Sequence, residues 1–133
     1  MADIKQIIKE HDKMRFILSE IELYITAEKV DLVIPLIKKL GKFWDEHEIM
    51  EEKLIKSLAR KQKLKVSGKM LLDQHKQIRG HWKLINGSIK SKDKQLLLIT
   101  LDTDGKMLIQ KFRSHFLKEE EFFNKSISNS LAI

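Results

Sequence analysis

WDEHEIMEEKL, at Trp44–Leu54, and FRSHFLKEEEFF, at Phe112–Phe123, are two stretches of the sequence that share one pattern. In both, a histidine follows an aromatic residue by three positions and precedes a glutamate by four. On an α-helix, residues four apart differ by about 40° in direction and about 6 Å in height, so they share one face. Each stretch therefore predicts a helix that presents a histidine and a glutamate together. The pairs are His47 with Glu51 and His115 with Glu119.

The chain has 133 residues and no cysteine. This length predicts a single domain over residues 1–133, which can bury a hydrophobic core without disulfide bonds. The lack of cysteine excludes thiolate metal sites and thiol chemistry. The first residues, MADIKQIIKEHDKM, lack the apolar stretch of a secretory signal. No segment approaches the roughly 18–20 apolar residues of a membrane span. We therefore expect a cytoplasmic protein that does not enter a membrane.

The net charge of +7, from 26 basic and 19 acidic residues, raises the question of nucleic-acid binding. The basic residues are spread over nearly the whole chain, and the densest run, ARKQKLK at Ala59–Lys65, falls where we expect a loop. Most aromatic residues fall at the core spacing of helices, whereas base stacking needs them on a polar surface. We therefore expect no nucleic-acid partner.

Apolar residues recur at steps of three and four in four segments, which predicts four helices. Asp31 is a candidate N-cap of the second helix, Asn86–Ser88 a candidate early end of the third, and Gly105 a candidate kink in the fourth. Short connections between long helices predict an all-α, antiparallel up-down-up-down four-helix bundle. The segments run from about residue 3 to 26, from 31 to 59, from just after Gly68 to about 90, and from 93 to about 125.

The chain also resembles itself. IIKEHDKMR at Ile7–Arg15 is similar to LLDQHKQIR at Leu71–Arg79, and the two His-x-x-x-Glu pairs recur at nearly the same offset. Each half thus has one histidine and then, on the next helix, a histidine–glutamate pair. We predict a bundle with a pseudo-two-fold internal repeat in which six side chains converge. They are His11, His47, Glu51, His75, His115 and Glu119.

Four imidazoles and two carboxylates cannot stay unpaired in a bundle core, because burying such groups without partners costs on the order of several kcal/mol. Two divalent or trivalent cations would satisfy all six, with two imidazoles on each cation and the carboxylates bridging the pair. Mixed nitrogen and oxygen ligation with open positions suits iron best, and manganese or zinc less well. The alternative is a metal-free basic helical binding module, in which the same residues are surface or structural groups.

The six residues, in this order and on these helices, resemble the hemerythrin-like family in its His-His-Glu cation-binding form. The resemblance extends over nearly all of the chain. It implies a four-helix bundle with two iron ions, bridged by an oxo or hydroxo group and by Glu51 and Glu119, and chemistry that involves O2. It also implies that His11 and His47 hold one iron and that His75 and His115 hold the other.

One departure from the family pattern bears on function. Hemerythrins that carry oxygen have a further histidine four residues after the one that matches His75, and here that position is Arg79. His81 lies about 240° around the helix from His75 and should face elsewhere. The resemblance therefore implies binding or sensing of O2 or a related small molecule rather than simple O2 carriage. The alternative within the family is a stress protein that handles nitric oxide or peroxide, or that repairs iron centres.

Residues next to the six have two interpretations each. Arg15 and Arg79 either extend from the bundle into solvent, or pair with the bridging glutamates or with a bound anion near the irons, and we favour the first. Glu52 and Glu120 either belong to a solvated helix face or accept a hydrogen bond from a ligand imidazole, and we again favour the first. We expect His81 to be a surface or boundary residue.

Overall fold

The structure, a computed structural model, describes residues 4–61 and 64–131, and this part of the chain is helical apart from its short connections. The all-α prediction is therefore confirmed. A π-helical turn at Leu101–Gly105 joins α4 to α5, so that these elements form the fourth long helical segment. The helices are α1 at Ile4–Thr26, α2 at Val30–Lys61, α3 at Lys65–Ser91, α4 at Lys94–Thr100 and α5 at Lys106–Leu131.

The four long segments surround one interior. Helix α1 packs against α2 and α5, and α3 packs against the same two helices. The buried apolar residues form two clusters. The larger cluster includes Met14, Trp44, Ile78 and Phe116. The smaller cluster includes Ile7, Ile55, Leu71 and Phe122.

A polar layer separates the two clusters. On α1, His11 lies between Ile7 of the smaller cluster and Met14 of the larger one. On α3, His75 lies in the same way between Leu71 and Ile78. Because one turn of helix separates each histidine from both apolar neighbours, the layer is held at a defined height by packing on both sides.

The second helix begins one residue earlier than predicted, at Val30. The carbonyl oxygen of Lys29 accepts from the backbone N–H groups of Leu32, at 3.1 Å, and Val33, at 3.3 Å. Asp31 is therefore not the N-cap but a residue of the first turn, where its negative charge interacts favourably with the helix dipole. The predicted start of the fourth segment agrees with the structure, because Asp93 caps α4 by accepting from the N–H groups of Gln95 and Leu96. Its predicted end near residue 125 is wrong, because α5 continues to Leu131.

Two predicted boundaries of the third helix are wrong. Helix α3 begins at Lys65, so Gly68 lies inside it, buried. The predicted loop around Ala59–Lys65 is correspondingly shorter, because α2 continues to Lys61. Asn86–Ser88 does not end α3, which continues to Ser91 and stops at Lys92 in a left-handed conformation with φ of 59°.

Gly68 is in the helix because two helices meet closely there. A Cβ atom at Gly68 would lie 2.8 Å from the Cβ of Ala59 on α2. Gly105, the predicted kink, ends the π-helical turn, and a Cβ there would lie 3.3 Å from Ile25 Cδ1. His81, predicted at the surface or its boundary, is half-buried, with its Nδ1 3.1 Å from Asp104 Oδ1 in the π-helical turn.

In the described part of the chain, no helix has the length and apolar character needed to cross a membrane.

We predict that Gly68→Ala destabilises the protein by about 1–3 kcal/mol, because the new methyl group meets Ala59 and the backbones must separate. Gly80→Ala is the matched control on the same helix, since a Cβ there has no neighbour within 4 Å. It should stabilise the protein by roughly 0.5–1 kcal/mol through helix propensity. Urea unfolding of both variants measures the difference, and equal shifts would show that α2 and α3 do not meet closely at Gly68.

Candidate metal centre

The six predicted side chains lie in the polar layer of the interior. His47 is 8% exposed, and the others are fully buried. Helices α1 and α3 supply one histidine each, whereas α2 and α5 supply a histidine and a glutamate one turn apart. Five of the six are connected by contacts between their polar atoms, and these are His11, Glu51, His75, His115 and Glu119.

The two carboxylates are arranged alike. Oε1 of Glu51 lies 3.1 Å and Oε1 of Glu119 lies 3.0 Å from Nε2 of His11. The other oxygen of each carboxylate, Oε2, lies 3.8 Å from Nε2 of His75. Each glutamate therefore presents one oxygen to the histidine of α1 and the second oxygen to the histidine of α3, which is the arrangement a bridging carboxylate needs.

His115 completes the group on the α3 side. Its Nε2 lies 2.9 Å from Nε2 of His75 and 2.8 Å from Oε2 of Glu119. One ligand atom from each of four residues, Glu51, His75, His115 and Glu119, falls within 4.8 Å of the others. Two imidazole nitrogens and two carboxylate oxygens so close together can hold a metal ion.

His47 is the sixth predicted residue, and among the described contacts it stands apart from the other five. It lies one turn before Glu51 on α2, and its Nδ1 is 2.8 Å from Oε2 of Glu10 on α1. The two atoms are at ion-pair distance but lack the alignment of a hydrogen bond. The ring of Phe43 lies parallel to that of His47, with 6.3 Å between the ring centroids.

The other histidines have outer partners that determine their orientation. Nδ1 of His11 lies 2.8 Å from Oε2 of Glu120, and Nδ1 of His75 lies 3.0 Å from Oε1 of Glu52. A carboxylate can only accept, so these nitrogens carry the proton and donate. The opposite nitrogen, Nε2, then faces the bridging carboxylates and would bind a cation that displaces its proton. Histidines that bind metals usually donate their second ring N–H to a carboxylate, carbonyl or water in this way.

Glu52 and Glu120 are thus not part of a solvated face, contrary to the interpretation favoured from sequence. Arg15, 29% exposed at its side chain, donates from Nη2 to Glu120 at 2.9 Å. Arg79 pairs with Glu48, and its Nη1 lies 3.6 Å from Oε1 of Glu52. The two arginines therefore support the outer acceptors. The interpretation favoured from sequence, extension into solvent, therefore does not describe their contacts, and the contacts described here do not pair them with the bridging glutamates either.

Glu10 and Gln74 were not identified from sequence. Gln74 accepts from Nδ1 of His115 at 2.8 Å, and Glu10 faces His47. Each directly precedes a predicted histidine, in the strings KEHDK and DQHKQ. A polar acceptor at the same position of both halves was the available signal. This polar residue can be recognised as a partner of a histidine only once the neighbouring helix is known to place a histidine beside it.

The buried charges interact strongly. Burial alone would lower the pKa of His11, but hydrogen bonds with Glu119 and Glu51 outweigh it and raise the pKa to about 10. Burial, and then the charge of Glu119, raises the pKa of Glu51 to about 7. Burial would also raise the pKa of Glu119, but close contacts with the rings of His11, His115 and His75 hold it well below its usual range. Burial lowers the pKa of His115. Protons and a cation therefore compete for the same atoms.

The donor atoms fit a cation better than they fit one another. Oε2 of Glu51 and both side-chain oxygens of Glu119 are buried without a well-aligned hydrogen bond. The contact between Nε2 of His75 and Nε2 of His115 leaves at least one lone pair facing a nitrogen. Buried polar groups in native proteins are nearly always satisfied. Cations between the carboxylates and the imidazoles would satisfy all of these atoms together.

Aromatic rings form the apolar wall of the layer. Phe116 stacks on His11 with 4.3 Å between ring centroids. Trp44 lies edge-on to His75 at 4.9 Å and to Phe112 at 5.1 Å. The indole N–H of Trp44 is buried without a hydrogen-bond partner. Such a wall excludes bulk water and strengthens electrostatic interactions inside the layer.

We predict that a chelator lowers the thermal unfolding midpoint of the isolated protein and that a divalent cation restores it. A ligand that binds only the folded state stabilises it by about 2.7 kcal/mol at 100 times its dissociation constant. Scanning calorimetry with and without chelator measures the effect. Glu121→Gln, which removes an exposed carboxylate beside the site, should behave as wild type. A midpoint that does not respond to chelator or cation would contradict cation binding in the layer.

Comparison with protein families gives one match. A model described as the hemerythrin HHE cation binding domain matches residues 2–125. Comparison with curated proteins and with solved structures finds no match.

Proposed function

The chain belongs to the hemerythrin HHE cation-binding family, and from that premise we propose that it is a non-haem di-iron protein that binds or senses O2 or a related small molecule. One observation carries the proposal. Glu51 and Glu119 each present Oε1 to His11, and each presents Oε2 to His75, inside a fully buried layer. This placement of the two carboxylates supports two cation positions rather than one.

The two positions have similar donors. The first has Nε2 of His11 and one oxygen from each glutamate, and we propose His47, one turn before Glu51, as its further ligand. The second has the remaining oxygens with Nε2 of His75 and of His115. A set of imidazoles and carboxylates favours iron, with manganese or zinc as less suitable occupants, because thiolates are absent and the ligands are of mixed hardness.

We also propose that the bundle is antiparallel with an internal two-fold repeat. On α1 and α3 the smaller apolar cluster precedes the larger one along the chain, at Ile7 before Met14 and at Leu71 before Ile78. On α2 and α5 the order is reversed, for example at Trp44 before Ile55. This alternation supports an up-down-up-down course. The matching roles of Glu52 and Glu120 support the repeat.

The protein side chains bind, orient and exclude water at this centre. The outer acceptors Glu120, Glu52 and Gln74 hold the Nδ1 protons of three histidines, so that each Nε2 remains available for iron. Phe116 and Trp44 restrict the space beside the histidines to small molecules. When bound, a pair of ferrous ions supplies the electrons that O2, nitric oxide or peroxide chemistry requires.

Arg79 bears on the choice between carriage and other functions. It stands where oxygen-carrying relatives have a further histidine, and it is directed to Glu48 and Glu52. The α3 side of the centre then has two histidines, as the α1 side does. A symmetric ligand set of this kind leaves an exchangeable position at each iron. It favours sensing or turnover over simple reversible carriage.

We predict that the protein binds two iron ions per chain and that Glu119→Ala abolishes binding of the pair, because Glu119 contributes an oxygen to both positions. Metal analysis after anaerobic loading with ferrous iron measures the ratio. His81→Gln is the matched control, since His81 pairs with Asp104 outside the layer and should not alter the iron content.

Exposure of the loaded protein to air then distinguishes the functions. An absorption spectrum that changes with O2 and returns when O2 is removed supports O2 binding. Direct and lasting oxidation supports sensing by oxidation or handling of nitric oxide or peroxide. Wild-type protein that takes up no iron, manganese or zinc would contradict the proposal and favour the metal-free basic helical module.

A further inference from the structure

The outer partners of His11 and His75 are alike, whereas those of His47 and His115 differ. Glu120 faces His11 and Glu52 faces His75, so both of these histidines have a carboxylate partner. Each of the two carboxylates is also contacted by an arginine of the neighbouring helix. His11 and His75 therefore both face a carboxylate that an arginine contacts, and on the His75 side Arg79 also pairs with a further carboxylate, Glu48.

The partners of His47 and His115 are different. Nδ1 of His47 lies 2.8 Å from a carboxylate oxygen of Glu10, whereas Nδ1 of His115 lies 2.8 Å from the amide oxygen of Gln74. Glu10 and Gln74 occupy the same position of the two halves, directly before His11 and His75. The distances are equal, but Gln74 accepts a hydrogen bond from His115 whereas Glu10 faces His47 without hydrogen-bond alignment, so the two partners differ in charge and in alignment.

The surroundings of Glu10 hold its carboxylate in this position. Its side chain is 12% exposed, and Gln6 donates from Nε2 to its Oε1 at 3.0 Å. The remaining oxygen, Oε2, faces His47. Although the pair lacks hydrogen-bond alignment, a charge at 2.8 Å acts on the ring through its distance, and partial burial weakens solvent screening.

We infer that Glu10 and Gln74 make the two iron positions electronically unequal, with the position of His11 and His47 favouring the more oxidised ion. This inference rests on the proposed di-iron centre. The negative charge of Glu10 close to the ring makes His47 a stronger electron donor, whereas the neutral amide of Gln74 has a smaller effect on His115. A stronger donor favours the ferric over the ferrous ion. A form with one ferric and one ferrous ion is therefore stabilised between the fully reduced and fully oxidised forms.

Solvent exposure is the competing cause of such a difference. His47 is 8% exposed and His115 is fully buried, so water alone would favour the more oxidised ion at the same position. Exchange of Glu10 and Gln74 separates the two causes, because it moves the charge without moving the surface. The substitutions Glu10→Gln and Gln74→Glu are nearly isosteric.

The experiment is a redox titration of the iron-loaded protein, followed by the paramagnetic resonance signal of the mixed-valent form. Glu10→Gln should raise the lower of the two reduction potentials, and Gln74→Glu should lower the higher one. Each single variant should therefore bring the two reduction potentials closer together, so that the mixed-valent signal is seen over a narrower range of potential. The double variant should restore the range. Glu121→Gln, which removes an exposed carboxylate of α5, is the control and should leave both potentials unchanged.

The outcomes separate this inference from the proposed function. Variants that load two iron ions, unfold at the wild-type midpoint and keep both wild-type potentials would overturn the inference and leave the di-iron proposal intact. A shift that is equal for both potentials in each single variant would overturn it too. Wild-type protein that does not load a pair of ions would instead overturn the proposed function.

Discussion

Two glutamates with no exposed surface, Glu51 and Glu119, impose the main constraint on this molecule. A buried carboxylate is costly unless charge and hydrogen bonds compensate it. The histidines of all four long helical segments lie in the same layer, and five of their ring nitrogens lie within about 3 Å of a carboxylate oxygen. The outer acceptors Glu120, Glu52 and Gln74 then hold a proton on Nδ1 of three of these rings. The fold can bury this polar layer because every group in it has a partner or a place for a cation.

The two apolar clusters of the bundle hold this polar layer in place. One cluster packs on each side of it, and the change from apolar to polar residues falls within one turn on every long segment. The helices must therefore stay in register. Gly68 permits the close approach of α2 and α3 on one side of the layer. On the other side, the π-helical turn of the fourth segment ends at Gly105, where the backbone packs closely against Ile25 of α1. The register of the helices thus keeps the histidines and glutamates of the site at one height.

Much of this arrangement could be predicted from sequence, because it depends on periodicity. Spacing of three and four residues identifies the helices, and the repeat places a histidine on each. Helix ends were less predictable, since Gly68 and Asn86–Ser88 look like breaks in sequence and only contacts across helices explain why the helix continues. The outer acceptors could not be assigned, because Glu52, Glu120 and Gln74 each serve a histidine on another helix. Such pairings depend on how the helices are rotated, and periodicity alone does not give that rotation.

The central claim is that Glu51 and Glu119 bridge two metal ions. The most direct test is a crystal structure of the iron-loaded protein with anomalous scattering data collected on both sides of the iron absorption edge. The account predicts two iron peaks between the two carboxylates, roughly 3.5–4 Å apart. One peak should lie beside His11 and His47, and the other beside His75 and His115. A single peak, or iron bound only outside the buried layer, would contradict the account.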